Sequence, residues 1–311
     1  MMSDQINRAE GYHIPVLLHE TIEQLISDPD GIYIDATFGG GGHSREILKH
    51  LGEGGHLFGV DQDADAEANC DIEDDRFTFV RSNFRYIPHF MDFYGIDQVT
   101  GILADLGVSS HHLDDEERGF SFRFDAPLDM RMNQSGGATA RVLIATVSEE
   151  ELTGILRNYG EVRQPHKLAR LIKASSDAGR LQTIQDLLDT IRPVQPEHDK
   201  RGLAKVFQAI RIAVNDEMGA LEDLLRGGCE LLAPGGRFCV ITYHSLEDRP
   251  TKNFFRTGHT DGSRETDLYG RLIAPMEPFT RKPITPSEQE IDINPRARSA
   301  KLRTGVKISQ S

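Results

Sequence analysis

The first third of the chain repeats one pattern, in which a short apolar run ends in polar residues. The runs are rich in β-branched and aromatic residues, and they lie in the segments 31–44, 55–63, 76–84 and 98–110. Short runs of this kind predict strands, and an amphipathic segment that begins at His43 predicts a helix after the first of them. Buried strands joined by helices form a parallel sheet, so the pattern predicts an α/β fold with a Rossmann-like architecture.

The next convincing strand comes late in the chain, at residues 235–245, although a fifth strand is due within one crossover helix of the fourth. A long helix precedes it, with one apolar face made of Phe207, Ile210, Val214, Met218, Leu221 and Leu225. The roughly ninety residues between the fourth strand and this helix are far too many for a loop. The sequence therefore predicts an inserted domain.

The inserted segment carries several helix-start signals. Ser148 and Glu151 form a capping box, and Pro165 opens a further amphipathic run. Additional helical runs lie at 138–147 and 183–191. These signals predict an insert that is all-α. The predicted domain boundaries are 1–117 and 204–311 for the two parts of the sheet domain and 118–203 for the insert.

Candidate site residues follow the predicted strands at the edge where the strands end. A glycine run at 39–42 follows the first strand, Asp61 ends the second, Asn83 and Phe84 follow the third, and Asp105 ends the fourth. In open α/β sheets the ligand lies beyond the carboxyl ends of the strands, so these residues are expected to share one crevice. Glycines allow the backbone to approach a ligand closely, and the next helix start offers unpaired N–H groups.

A nucleotide-like cofactor without phosphate fits these residues best. The dinucleotide pattern G-x-G-x-x-G fails because Ser44 or Arg45 stands where the last glycine belongs, and no Gly-Lys pair exists for a phosphate loop. S-adenosylmethionine needs a close backbone approach, an acid for the ribose and a platform for the adenine. Asp61 has the spacing of a ribose acid, and Phe84 is either the platform or a core aromatic. The alternative is an ordinary glycine-rich turn.

No metal site is expected from the sequence. The acidic run at 61–67 fails the calcium-loop pattern, because Ala66 and Ile72 stand where glycine and glutamate are required. Asp63, Asp65 and Glu67 are instead expected in a solvated helix start. The three cysteines have no metal-binding spacing and no disulfide framework, which is typical of a reducing cytoplasm.

The composition is that of a globular protein, with 38% hydrophobic and 27% charged residues. The sequence shows no membrane span and no signal peptide, so a cytoplasmic location is expected. The net charge of −14 disfavours general binding to polyanions. Two segments are nevertheless locally basic. The cations of the insert form either an RNA-docking surface or a solvated helix face, and together with those near the C-terminus they would frame a basic rim that favours one shaped RNA. The cations of the two segments are Arg157, Arg163, Lys167, Arg170, Lys173 and Arg180 in the insert, and Arg281, Lys282, Arg296, Arg298, Lys301, Arg303 and Lys307 near the C-terminus.

Several longer motifs, taken in order from His13 almost to the C-terminus, closely resemble those of the bacterial 16S ribosomal RNA cytosine-N(4) methyltransferase family, called RsmH or MraW. They are DATFGGGGHS, ILADLGVSSHHLDDEERGFSF, APLDMRM, FQAIRIAVNDE, LAPGGRFCVITYHSLEDR and NPRARSAKLR. The resemblance implies a class I methyltransferase that uses S-adenosyl-L-methionine and acts on cytidine 1402 (rRNA numbering). The implied partner is 16S rRNA within the small ribosomal subunit, with no membrane and no DNA.

The resemblance also implies which residues contact the cofactor. They are Gly41, Gly42, His43, Asp61, Phe84 and Asp105, together with His112. The position of His112 is usually glutamine in the family, and an imidazole can still donate or accept a hydrogen bond there.

Methylation of an exocyclic amine requires alignment of the nitrogen with the methyl group and removal of a proton. Many amino-methyltransferases carry an Asp/Asn-Pro-Pro-aromatic turn after the fourth strand, where this chain has residues 105–110. Asp105 therefore either accepts the proton or binds the methionine part of the cofactor. Ser109, Ser110 and His244 are the other polar candidates for substrate contact, unless they act only as turn or cap residues. Arg163, Lys167 and Arg170 are candidates for RNA contact.

Two other functions stay open on the sequence. The same cofactor site serves enzymes that methylate another RNA base or a protein. The alternative that is not an enzyme is a ribosome-assembly factor, which binds S-adenosylmethionine and acts by docking RNA. The missing Pro-Pro-aromatic turn leaves both open.

Overall fold

The computed structural model describes residues 15–68, 70–107 and 115–309, and they fold into two compact units. The sheet unit comprises the described residues within Met1–Asp61, Asp65–Leu106 and Leu225–Ser311. The helical unit comprises the described residues within Gln62–Ala64 and Gly107–Leu224. The helical unit therefore extends beyond the expected insert of 118–203 at both ends.

Nine strands and twelve α-helices are described. The strands are β1 (Ile32–Asp35), β2 (His56–Asp61), β3 (Phe77–Arg81), β4 (Val99–Asp105), β5 (Leu232–Thr242), β6 (Glu265–Thr266), β7 (Leu272–Ile273), β8 (Met276–Pro278) and β9 (Lys301–Lys307). The helices are α1 (Leu18–Leu25), α2 (Gly42–His50), α3 (Ala64–Ala68), α4 (Ile87–Phe93), α5 (Ala140–Thr146), α6 (Glu149–Gly160), α7 (Pro165–Asp177), α8 (Ile184–Ile191), α9 (Lys200–Asn215), α10 (Glu217–Leu231), α11 (Ser245–Thr257) and α12 (Glu288–Ile293).

The main sheet has seven strands in the order β3-β2-β1-β4-β5-β9-β8. The first five strands of that order are parallel, and β9 pairs antiparallel with both β5 and β8. The central strands are apolar because both of their faces are buried, as Ile34, Leu57 and Ile102 illustrate. The predicted α/β fold with a parallel sheet is confirmed, although β3 and β4 are shorter than the segments predicted for them.

The helical unit has its own core, which the amphipathic faces of α5 to α9 supply. Leu156, Leu168, Ile172 and Ile184 are among its fully buried members. The capping box of Ser148 and Glu151 is present, Pro165 lies in the first turn of α7, and Thr183 caps α8. The predicted insert helices are therefore confirmed.

The single long helix predicted over residues 205–225 is wrong in one respect, because two helices, α9 and α10, occupy this segment. The backbone breaks between α9 and α10 at Asp216, whose φ is +47°. The neighbouring Asn215 turns its amide toward a distant segment, accepting from the N–H of Met132 (2.7 Å) and donating to the carbonyl of Met130 (2.8 Å). A periodic apolar face cannot reveal such a break, since the contacts that support it come from more than eighty residues away.

Among the residues that the structure describes, no helix is both long and apolar enough to cross a bilayer.

Candidate active site

The turn between β1 and α2 is built from glycines whose backbone conformation other residues rarely adopt. Gly39 has a φ of +52°, and Gly41, which caps α2, has a φ of +72°. A Cβ on Gly41 would lie 2.6 Å from the Phe38 ring and 2.8 Å from Arg45, so the protein itself fills that space. A Cβ on Gly42 would lie 2.3 Å from Pro15. A Cβ on Gly39 would meet no such obstruction, because its contact is with the Thr37 carbonyl oxygen at 3.9 Å.

Asp35 ends β1 and is joined by hydrogen bonds to the turn between β1 and α2 and to the start of α2. Its carboxylate accepts from the hydroxyl of Ser44 (2.6 Å) and from the N–H of Thr37 (3.2 Å). Burial raises the pKa of Asp35 to about 6. The sequence analysis did not single out this residue, although it ends a strand just as Asp61 and Asp105 do.

Asp61 ends β2 and reaches the glycine turn. Its carboxylate accepts from the N–H of Gly39 at 2.8 Å. The next strand is tied to the same point, because the N–H of Ser82 donates to the Asp61 carbonyl. Asn83 then caps a short 3₁₀ turn that begins with Phe84, whose ring is half-buried. Asp61 and Phe84 therefore follow adjacent strands at one edge of the sheet.

Asp105 ends β4 and receives a hydrogen bond from the next strand. The Tyr243 hydroxyl donates to its Oδ1 at 2.8 Å, and the Asp105 N–H donates to Thr37 Oγ1 at 2.6 Å. Burial, with smaller contributions from the negative charges of Asp35 and Glu247, raises the pKa of Asp105 to about 7. The side chain still exposes 22% of its surface, so a ligand can reach it.

His43, in the first turn of α2, faces the other oxygen of Asp105. Its Nε2 lies 3.2 Å from the Val16 carbonyl, which can only accept, so Nε2 carries the proton. The bare Nδ1 then lies 3.9 Å from Asp105 Oδ2. Burial lowers the pKa of His43 to about 4, and the ring is therefore neutral at neutral pH.

The end of β5 is fixed by Glu247, which is almost fully buried in α11. One of its carboxylate oxygens accepts from the N–H of Tyr243 at 2.8 Å, and the other lies 3.0 Å from His244 Nε2. His244 is thus held as the N-terminal cap residue of α11. The sequence analysis chose His244 and missed Tyr243, although both follow the same strand.

Asp35, Asp61, Asp105 and Tyr243 together form what we call the strand-end cluster. Each lies at or just after the carboxyl end of a parallel strand, and direct hydrogen bonds join the cluster to the glycine turn and the adjoining Thr37. The expected gathering of Asp61 and Asp105 at one edge is observed. Ser109, Ser110 and His112 lie in 108–114, outside the described residues.

In the helical unit, Arg163, Lys167 and Arg170 are exposed, and we call them the helix cations. No ion pair or side-chain hydrogen bond to any described residue holds them. Lys173, one turn further along α7, behaves differently, because its ammonium donates to the carbonyls of Ile144 and Ala145 at the end of α5.

Three of the C-terminal cations also interact with other groups of the protein. Arg303 and Lys301 both bind the carboxylate of Asp248, and Lys307 donates to the Cys229 carbonyl. The expected basic rim is therefore reduced at these three positions. Arg281, Lys282 and Arg298 remain exposed.

The expectation that Asp63 is solvated is wrong. Asp63 is buried and lies 3.2 Å from Arg118, which is also buried. The same guanidinium donates to the carbonyl of Met132 at 2.9 Å. A buried carboxylate needs such a partner, and this one comes from a residue 55 positions away that local sequence could not reveal.

Comparison with known proteins identifies relatives along nearly the whole chain. Residues 10–308 match the MraW methylase family. A protein named ribosomal RNA small subunit methyltransferase H from Bacteroides thetaiotaomicron is 54% identical over 297 residues, which cover 95% of this chain and 97% of the relative. Proteins of the same name are 53% identical in Parabacteroides distasonis, covering 96% of this chain and 98% of the relative, and 52% identical in Porphyromonas gingivalis, covering 96% and 97%.

Proposed function

The chain belongs to the MraW methylase family, and we propose that it transfers a methyl group from S-adenosyl-L-methionine to the RNA of the small ribosomal subunit. The acceptor we propose is the exocyclic N(4) amine of a cytidine in 16S rRNA, position 1402 in rRNA numbering. The substrate assignment rests on the shared name of relatives that are more than half identical to this chain. The observation that carries the cofactor assignment is the hydrogen bond between Asp61 and the glycine turn.

The strand-end cluster fits an adenosine cofactor that has no phosphate. The Gly39–Asp61 hydrogen bond brings a carboxylate to the turn, where it can accept from ribose hydroxyls. A Cβ on Gly39 would be in ordinary contact with the Thr37 carbonyl oxygen, at 3.9 Å, and its absence lets a ligand pass close to the backbone there. Phe84 follows the neighbouring strand and would supply an apolar surface for the adenine.

Asp105 would hold the cationic methionine end of this cofactor. A buried carboxyl whose pKa is about 7 is half ionised at neutral pH, and an adjacent cation would favour its charged form. When bound, the cofactor supplies a methyl group made electrophilic by the sulfonium. The protein has to align the weakly nucleophilic amine with that methyl group and exclude water from it.

The helix cations fit the RNA substrate, because exposed cations that no ion pair or side-chain hydrogen bond to a described residue holds can contact phosphates, although Arg163 also interacts electrostatically with Asp199. Their sequence neighbourhood is basic, although the protein as a whole carries a net charge of −14. A local basic surface on an acidic protein favours one shaped RNA over polyanions in general.

The test is transfer of labelled methyl groups to free 16S rRNA, assembled small subunits and ribosomal protein in parallel. We expect label in RNA and none in protein. Label in protein would contradict the substrate. Cofactor binding without transfer to any of the three would favour a ribosome-assembly factor that binds the cofactor without using it.

A further inference from the structure

We propose that Tyr243 is a positioning residue that holds one oxygen of Asp105 and leaves the other as the oxygen that meets the cofactor. The proposal rests on the function proposed above and adds a residue for which the sequence offered no role. Four groups form a line from β5 to the start of α1. They are the Tyr243 hydroxyl, the Asp105 carboxyl, the His43 ring and the Val16 carbonyl.

The direction of each contact in this line is fixed by chemistry. The Tyr243 hydroxyl donates to Asp105 Oδ1, because burial and the negative charge of Asp105 raise its pKa and keep it protonated. At the other end, the Val16 carbonyl fixes the proton of His43 on Nε2. Asp105 Oδ2 therefore faces the bare Nδ1 at 3.9 Å, too far for a hydrogen bond. Oδ1 is held, and Oδ2 is the oxygen available to a ligand.

The tyrosine itself is held in place by the backbone. Glu247, almost fully buried, accepts from the Tyr243 N–H, and β5 continues directly into this residue. The ring is partly buried and packs against the hydrophobic core of the sheet unit, which restricts its rotation. This arrangement gives Tyr243 the rigidity that a positioning residue requires.

The charged and titratable groups that face Asp105 come from four elements. Asp35 from β1 and Glu247 from α11 bring negative charge, which raises the pKa of Asp105. His43 from α2 is neutral, and Tyr243 after β5 stabilises the ionised carboxylate by its hydrogen bond. The cofactor is expected to prefer ionised Asp105, so its affinity should rise with pH and level off above about 7.

The experiment compares S-adenosylmethionine affinity from pH 5.5 to 8 in wild type and in Tyr243→Phe by calorimetry. The variant removes one hydrogen bond to the carboxylate, so the pKa of Asp105 should rise. We expect the midpoint of the affinity profile to move up by about one pH unit, with about tenfold weaker binding at pH 6. The titration of the ligand itself is the same in both proteins and cancels in the comparison.

Two further variants separate positioning from general damage. Tyr33→Phe removes another phenol hydroxyl, whose hydrogen bonds within the described part of the chain are all with the backbone of residues 27 and 28, and it should leave the midpoint unchanged. Asp105→Asn should abolish the difference that Tyr243→Phe makes. An unchanged midpoint in Tyr243→Phe would overturn the positioning role while the cofactor assignment stands. Failure of wild type to bind at any pH would instead contradict the proposed function.

A direct measurement covers the case in which Tyr243→Phe does not fold. A ¹³C NMR titration of the aspartate carboxyls in wild type, assigned with Asp105→Asn, should show Asp105 titrating near neutrality. On adding the cofactor, its midpoint should fall. A midpoint that the cofactor does not move would overturn the assignment of Oδ2 to the ligand.

Discussion

The strand-end cluster and the helix cations hold their charges in opposite ways. In the cluster, each carboxyl accepts a hydrogen bond from another part of the sheet unit, such as Gly39 to Asp61 or Tyr243 to Asp105. On α7, Lys167 and Arg170 are exposed, and no side chain of the described residues pairs with them. The cluster is preorganised, which suits a small cofactor that must be aligned. The helix cations are exposed side chains, which suits contact with the phosphate backbone.

This difference predicts separable effects. Changes in the cluster should alter cofactor affinity at every salt concentration, because buried groups are poorly screened. Changes on α7 should alter RNA use and leave cofactor affinity intact. A single variant that changed both cofactor affinity and RNA methylation would contradict this separation.

The largest effect is expected for Gly41→Val, which should abolish measurable cofactor binding. The positive φ disfavours valine, and the added carbon atoms would collide with Phe38 and Arg45, so the turn must move. This reason differs from the one that the sequence suggests, since the space that valine would fill belongs to the protein. The measurement is calorimetric titration with S-adenosylmethionine, after circular dichroism has shown that the variant folds.

Gly95→Val is the matched control for that variant. Gly95 has a φ of +70°, and a Cβ added there has nothing within 4 Å. The substitution at Gly95 therefore introduces the same backbone strain without a collision. We expect normal cofactor affinity there. Normal affinity in Gly41→Val as well would show that the turn does not hold the cofactor.

The next largest effect is expected for Asp61→Ala. Loss of a charge-assisted hydrogen bond costs about 1.5 to 3 kcal/mol, which weakens affinity roughly ten- to a hundredfold. Asp61→Asn keeps an acceptor for the Gly39 N–H and loses the charge, so its effect should fall between those of wild type and alanine. The control is Asp30→Ala, which removes a carboxylate that accepts from the Gly54 N–H away from the site. Unchanged affinity in Asp61→Ala would refute the ribose role.

Reversal of the helix cations to glutamate should reduce RNA methylation about tenfold at low salt, with unchanged cofactor affinity. Wild-type activity should fall as salt is added, and the variant should show a shallower dependence. The comparison variant changes Arg281 and Lys282, which are exposed in the sheet unit, to glutamate. A loss confined to that double variant would move RNA recognition to the C-terminal segment.

The smallest effect is expected for Lys173→Met. Lys173 lies on the same helix as Lys167 and Arg170, but its ammonium donates to the carbonyls of Ile144 and Ala145 at the end of α5. Its removal should lower the free energy of unfolding by about 1 kcal/mol and leave RNA methylation unchanged. Thermal unfolding and methyl transfer measured together check this. A loss of methylation without a loss of stability would place Lys173 among the RNA contacts.

Local signals were sufficient for much of this structure. The capping box of Ser148, Pro165 at a helix start and the apolar runs that end in Asp61 and Asp105 each predicted an element that is observed. Parallel strands end at one edge, so the topology alone predicted that Asp61 and Asp105 share an edge, although the sequence analysis overlooked Asp35 at the end of β1.

Long-range contacts account for what the sequence could not reveal. The burial of Asp63 depends on Arg118, the hydrogen bond to Asp105 comes from Tyr243 more than a hundred residues later, and the break after Asn215 depends on Met130 and Met132. The sequence also could not distinguish Lys173 from Lys167. The two lysines differ only because Lys173 donates a hydrogen bond to the end of α5, which a distant segment forms.

Nucleoside analysis of methylated RNA tests the central proposal most directly. Small subunits from cells that lack this enzyme would be incubated with the protein and labelled S-adenosylmethionine, and the digested RNA separated by liquid chromatography and mass spectrometry. We expect the label in N(4)-methylcytidine, at one position of 16S rRNA, and its loss with Asp61→Ala. Label in a ring-methylated cytidine, in another base or at many positions would contradict the proposed reaction.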